Sequence, residues 1–357
     1  MLHRLRLGIV CAAYMFVVSC AGVPQSNQPA PRENMSESKF TDSAATTLVI
    51  YSGRSEALIK PVIDAFVAAN PSITVQLKAG KDNELAAAIL EEQARPQADV
   101  YITTNMLTTI ALGNQGVLAA HTVPAAEQIP SRYRSADALW TPITLRARVI
   151  MYNKELVAAA DAPKTMAALG DAKWQGKIAA ANSTNGSMQA HIATLIAQSG
   201  PDAATAFLNA LIANETTFFG GHTDVRKAVG AGEFAIGIVN HYYYEMQKRE
   251  PSDNNVAVIY PDQGTDENGL IVNATAAAII KNAQHPDAAK RFVDFLFQSE
   301  TQQLFAELNY EYPILPNIPL AKDMTPLTEL RIAEVPLTDI AAQVTVASAQ
   351  MAAAGIP

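Results

Sequence analysis

The sequence predicts an α/β protein of two lobes, with mixed sheets flanked by helices and a ligand cleft between the lobes. Three observations carry this. The 357 residues are 49% hydrophobic and 17% charged, enough apolar material for about two domains without staples. Short β-branched runs alternate with stretches of helical periodicity, the pattern of sheets covered by helices on both faces. After residue 146 the alternation begins again, and the two αβ units are joined by strands instead of a linker.

The elements follow in chain order. Residues 47–51 (TLVIY) form a short apolar, β-branched run, hence a buried strand. After the turn Ser-Gly-Arg-Ser, Leu58, Val62 and Phe66, with Ile59 and Ile63 beside them, have helical spacing. Pro61 fits that helix only near its start, where fewer amide donors are needed. Residues 73–77 (ITVQL) give the next strand, 83–92 a helix with Leu85, Ile89 and Leu90 on one side, and 99–102 (DVYI) a third strand. Residues 146–152 (RARVIMY) form a strand that is charged at its start and apolar beyond. Further strands are expected at 177–181, 216–219, 234–240, 256–260 and 276–280. One helical face, Phe292, Phe295, Leu296 and Leu304, runs through PDAAKRFVDFLFQSETQQLFAEL.

Charge and cysteine usage narrow the function. The formal net charge is −8 with no basic patch, so nucleic acid is not an expected partner. No HExxH, GxSxG, P-loop or CxxC pattern occurs, and the expectation is a binding protein, not an enzyme.

Residues 1–20 read as a secretory signal: Arg4 and Arg6, then an apolar run, then small residues. The run ends in Val17-Val18-Ser19-Cys20, similar to the bacterial lipobox, which implies lipidation at Cys20; an ordinary signal peptide containing a cysteine is the alternative. Cys11 lies inside the segment that would be removed, so no disulfide or thiol chemistry is expected of the mature chain. Residues 21–46, rich in Pro, Ser and Asn, read as a flexible tether.

From about residue 47 to 316 the chain resembles the bacterial ferric-iron-binding proteins, class II periplasmic solute-binding proteins that feed ABC transporters. The stretches that carry the resemblance are VIYSGRSE, ELAAAILEEQ with PQADVYI, RARVIMYN, KWQGKIAAANSTNGSMQA, IVNHYYYEM, HPDAAKRFVDFL and EYPILP. The resemblance implies a first lobe of residues 47–145 and 271–312 and a second of 146–270 and 313–357. It implies a monomer outside the cytoplasm that hands cargo to an ABC permease, and the lipobox implies that its lipid holds it at the membrane. Two adjacent tyrosines bind Fe³⁺ in that family, and they map onto Tyr242 and Tyr243. A phenolate is a suitable hard ligand, although a free phenol of pKa about 10 ionises at neutral pH only beside a cation. Three tyrosines packed in a core are the alternative.

The chain departs from the family elsewhere. A histidine found after the first-strand turn is replaced by Ser55, a tyrosine one residue later by Glu56, and a glutamate after the third strand by Thr104. Glu56 is the candidate first-lobe ligand, or else a surface glutamate favoured near a helix N-terminus. His241 and His222 are nearby and read mainly as structural residues.

Carbonate or phosphate completes the ferric site in relatives. Asn240 and the helix start Asn185-Gly186-Ser187 match positions that hold it, a role suited to free N–H groups. Arg54 and Arg146 offer planar forks of donors to the same anion, with a hinge salt bridge as the alternative for Arg146. The expected function is therefore a lipid-anchored receptor that captures Fe³⁺ with a synergistic anion. The alternative is a binding protein for a small oxyanion or organophosphate in the same fold.

Overall fold

The computed structural model describes residues 46–357. The predicted signal segment, Cys20 and the tether up to residue 45 lie outside these residues.

The first unit opens with β1 (Thr46–Ser52), α1 (Glu56–Ala69), β2 (Ile73–Ala79), α2 (Asp82–Glu91), β3 (Val100–Thr103), α3 (Met106–Asn114) and the short β4 (Leu118–Ala119). β1 pairs in parallel with β2 on one side and β3 on the other. α1 buries Ile59, Val62, Ile63 and Phe66, the face read from the sequence, and Pro61 lies in its second turn.

β5 (Thr141–Asn153) then crosses the molecule, and all of its residues are buried. The second unit continues with β6 (Ile178–Ala181), α4 (Gly186–Ser199), α5 (Pro201–Ala213), β7 (Thr217–Phe219), α6 (His222–Gly230), β8 (Ile236–Asn240), α7 (His241–Lys248) and β9 (Val256–Ile259). β10 (Val272–Ile280), α8 (Pro286–Phe295), α9 (Ser299–Asn309) and β11 (Tyr312–Pro313) return to the first unit, followed by α10 (Leu337–Ala342) and α11 (Val344–Ala353).

The strand order is β2-β1-β3-β10-β5-β8-β6-β7. β10 runs antiparallel to both β3 and β5, so the sheet is mixed. β5 joins the halves. Its first residues pair with β10 and β11, and its last residues, from Arg148 onward, pair with β8 and β9. Side chains on this strand therefore reach material from both halves.

Among the elements that differ from expectation, β10 begins at Val272, four residues before the predicted 276. β5 begins at Thr141, five residues before the predicted 146, because the polar Thr141 and Thr144 are buried in the sheet. The single helix expected after His285 is two, α8 and α9, broken at Leu296-Phe297-Gln298. Gln302 explains the break: its Nε2 donates to the Leu296 carbonyl at 2.8 Å and to Ile143 at 3.1 Å, satisfying the end of α8. No helix among the described residues is long and apolar enough to cross a membrane.

Candidate ligand site

β8 ends at Asn240 and α7 begins at His241. At this junction the side-chain repeat changes from two residues to 3.6, and the rings of Tyr242 and Tyr243 come together. Their centres are 4.3 Å apart with planes at 34°. Tyr242 is 3% exposed and Tyr243 half-buried. Tyr244 packs elsewhere, with the Lys248 Nζ 5.4 Å from its ring centre.

Two guanidiniums border the pair. The Cζ of Arg146 lies 5.0 Å from the Tyr242 ring centre. Arg148 is buried, with Nη1 3.0 Å from His222 Nε2 and 3.5 Å from Asn240 Oδ1. Its Nε has no hydrogen-bond partner among the described residues. Burial lowers the Arg148 pKa to about 9, while Tyr242 and Tyr243 pull it upward. The charge retained there thus favours negative charge on the phenols. Burial, and after it Tyr242, pushes the Tyr243 phenol well above its ordinary value, with Arg146 opposing. Without a bound cation, Tyr243 is therefore protonated at neutral pH.

The other expected site residues fall into distinct groups. Asn240 and Ser187 are brought together, Nδ2 donating to Oγ at 3.0 Å. Asn185 instead caps its own helix, its Oδ1 accepting from Ser187 N at 3.0 Å and Met188 N at 3.2 Å. This departs from the expectation of an open anion cradle at Asn185-Gly186-Ser187, since the Ser187 amide is already taken.

Arg54 is a second correction. It is buried, with Nη1 donating to Glu311 Oε2 at 2.7 Å and Nη2 donating to Thr144 and Thr275 at 2.9 and 2.8 Å. Its guanidinium is committed to the core and does not offer a fork to an anion. Arg146 makes the ion pair of its hinge alternative, Nε donating to Glu311 Oε1 at 2.6 Å and Nη1 to the Thr104 carbonyl at 3.3 Å, while its Nη2 has no hydrogen-bond partner among the described residues.

Of the histidines, His222 borders the site, its ring 5.2 Å from Tyr243. His241 is structural, accepting from Ala147 N at 3.1 Å and stacked on Tyr312 at 4.2 Å. Glu56 is exposed on the first turn of α1, with no hydrogen bond or ion pair among the described residues.

Asp82, the first residue of α2, went unread in the sequence. Its Oδ1 and Oδ2 each accept from Thr104 N at 3.1 Å, and Oδ2 also from the Thr104 hydroxyl. Burial raises its pKa against these hydrogen bonds and the pull of Arg146. It lines a cleft of about 180 Å³ together with Gly53 and Thr104 on one side and Asn185 and Gly186 on the other. Asn105 spans the same gap, its Nδ2 donating to the Gly186 carbonyl at 3.1 Å. A larger open groove of about 800 Å³ runs past Tyr133, Leu330 and Arg331, and neither tyrosine of the pair lines it.

The chain is similar to known proteins. Residues 98–332 match the family model described as bacterial extracellular solute-binding protein. The chain is 32% identical over 282 residues to "Iron uptake protein A2" of Synechocystis, covering 77% of this chain and 80% of that one. It is 28% identical to the "Fe(3+)-binding periplasmic protein" of Serratia marcescens, covering 81% and 85%. Among solved structures it is similar to the ferric binding protein from Campylobacter jejuni. There the TM-score is 0.80 at 28% identity, covering 87% of this chain and 100% of the other.

Proposed function

The chain belongs to the bacterial extracellular solute-binding proteins, and on that footing we propose that it captures ferric iron between its lobes and delivers it to an ABC importer. The observation that carries the reading is the Tyr242–Tyr243 pair, centres 4.3 Å apart at a strand–helix junction and bordered by Arg146 and Arg148. Fe³⁺ is a hard cation that prefers anionic oxygen. It can displace the phenol protons, and the guanidiniums lower the cost of leaving phenolate behind. The names of the Synechocystis and Serratia relatives agree with this cargo.

The lobes of this reading are residues 47–145 with 271–312 and residues 146–270 with 313–357. The protein works as an extracytoplasmic monomer anchored through lipidated Cys20, with residues 21–46 as tether. Two or three protein oxygens leave an octahedral ion incomplete, so carbonate or phosphate fills the rest of its shell. In this reading Asn240, Ser187 and Arg148 hold that anion, which the Asn240–Ser187 contact and the unpartnered Nε of Arg148 support.

A buried guanidinium with no carboxylate partner also favours a second reading, in which a small organophosphate is the cargo. Calorimetric titration separates the two. The ferric reading expects binding of ferric citrate and none of a sugar phosphate in the absence of iron. Tight sugar-phosphate binding to the iron-free protein, with no response to ferric citrate, would overturn it.

A further inference from the structure

We propose that Asp82 supplies the oxygen with which the first lobe closes over the tyrosine pair, the part Glu56 was expected to play. The inference rests on the ferric reading above and names its missing ligand.

Asp82 is a carboxylate without a cation. No salt bridge to it occurs among the described residues; the nearby Arg146 pairs with Glu311. Asp82 is half-buried at the cleft, and a carboxylate partly withdrawn from water without a counter-ion gains when a cation arrives. Thr104 fixes the carboxylate by its amide and its hydroxyl. The Tyr101 hydroxyl lies 3.1 Å from the Asp82 carbonyl and so anchors its backbone. An ionised carboxylate has about four acceptor positions; Thr104 supplies two donors and the Tyr101 hydroxyl, 3.4 Å from Oδ1, a third, which leaves about one position for a metal.

The surroundings keep that room open. At Gly53 a Cβ would overlap Oδ1 of Asp82, so any side chain there would displace the carboxylate. Across the cleft, a Cβ at Gly186 would sit 3.7 Å from Oδ2, so the other lobe approaches the carboxylate with bare backbone. Two residues, Thr104 and Arg146, connect Asp82 to the tyrosines. Thr104, which holds Asp82, accepts Arg146 Nη1 through its carbonyl at 3.3 Å, and the same guanidinium lies 5.0 Å from the Tyr242 ring centre. Two phenolates and this carboxylate carry three negative charges, which balance Fe³⁺. Glu56 has the right charge but stands exposed and unfixed. Sequence position alone hid Asp82, because the loop after β3 carries Thr104 and the acid that Thr104 holds comes from another element.

The test titrates full-length protein with ferric citrate, using excess citrate as competitor, and reads both the phenolate-to-iron band and the iron affinity. In Asp82→Asn the band should persist, affinity should fall by at least about tenfold and iron should leave faster, while Glu56→Gln matches wild type. The melting temperature of iron-free Asp82→Asn controls for folding. Thr104→Val, which keeps the acid but removes its hydroxyl partner, should weaken affinity in the same direction if Asp82→Asn does not fold. Wild-type affinity in Asp82→Asn or, failing that variant, in Thr104→Val would overturn the assignment, as would a loss confined to Glu56→Gln. No band in the wild type would overturn the ferric reading and this assignment with it.

Discussion

Arg146 donates through Nε to Glu311 Oε1 at 2.6 Å, while its guanidinium borders the Tyr242 ring. One side chain thus connects the proposed metal ligands to a carboxylate 165 positions away in sequence. Arg54 reaches the other oxygen of Glu311 at 2.7 Å, and both side chains of that pair are fully buried.

This buried triad sets a stability prediction. Burial would raise the Glu311 pKa, but Arg146 and Arg54 outweigh it and the net shift is downward. A carboxylate lowered on folding stabilises the protein above its unfolded pKa of roughly 4.3, and that stability is lost as pH falls through the lower folded value. Glu311→Gln should therefore cost on the order of 3–5 kcal/mol at neutral pH and flatten the acid side of the stability curve. Urea denaturation of the iron-free protein across pH 3–7 measures both. A loss that stays constant with pH would contradict the ionic account.

Iron uptake should release protons. Tyr243 is held well above its ordinary pKa by burial and by Tyr242, so its proton must leave when iron binds. Two phenolate ligands together release about two protons per ion, and affinity at constant free iron should rise with pH. A weakly buffered indicator assay counts the protons. Release of none would mean that the phenols do not coordinate.

Arg148 should act on the same equilibrium. Its charge favours phenolate, so Arg148→Met should move the pH at which the iron band appears upward by about one unit or more. The replacement keeps an unbranched chain in the buried site, so a pH titration of the band reads charge more than packing. An unmoved midpoint would remove Arg148 from the account.

The proposed lipid anchor rests on Cys20. A fatty-acid analogue should label the wild type in bacterial cells and spare Cys20→Ala. Equal labelling of both would end the lipoprotein assignment.

What the sequence made legible was local. The apolar run at 47–51 anticipates β1 to within one residue at each end, and the helical face of Ile59, Val62, Ile63 and Phe66 is the buried face of α1. The tyrosine pair was legible through the family resemblance, because three phenols in a row by themselves also fit a packed core. Side-chain commitments made over long range were not visible. Arg54 reads as a free donor beside a glycine turn, yet its partner Glu311 lies 257 positions downstream. Asn185 reads as an anion holder, and its own helix takes its oxygen. Arg148 did carry a signal, a second arginine inside the apolar run RARVIMY, where burial was expected and no acid stood near in sequence.

The central claim is that Tyr242 and Tyr243 bind ferric iron. Its most direct test is a visible-absorbance titration of the full-length protein with ferric citrate, beside the Tyr242→Phe/Tyr243→Phe variant and a Tyr244→Phe control. The account predicts a phenolate-to-iron band saturating at one ion per chain in the wild type and the control. The double variant, with its iron-free melting temperature close to wild type, should have no band. A full band in the double variant, or none in the wild type, would contradict it.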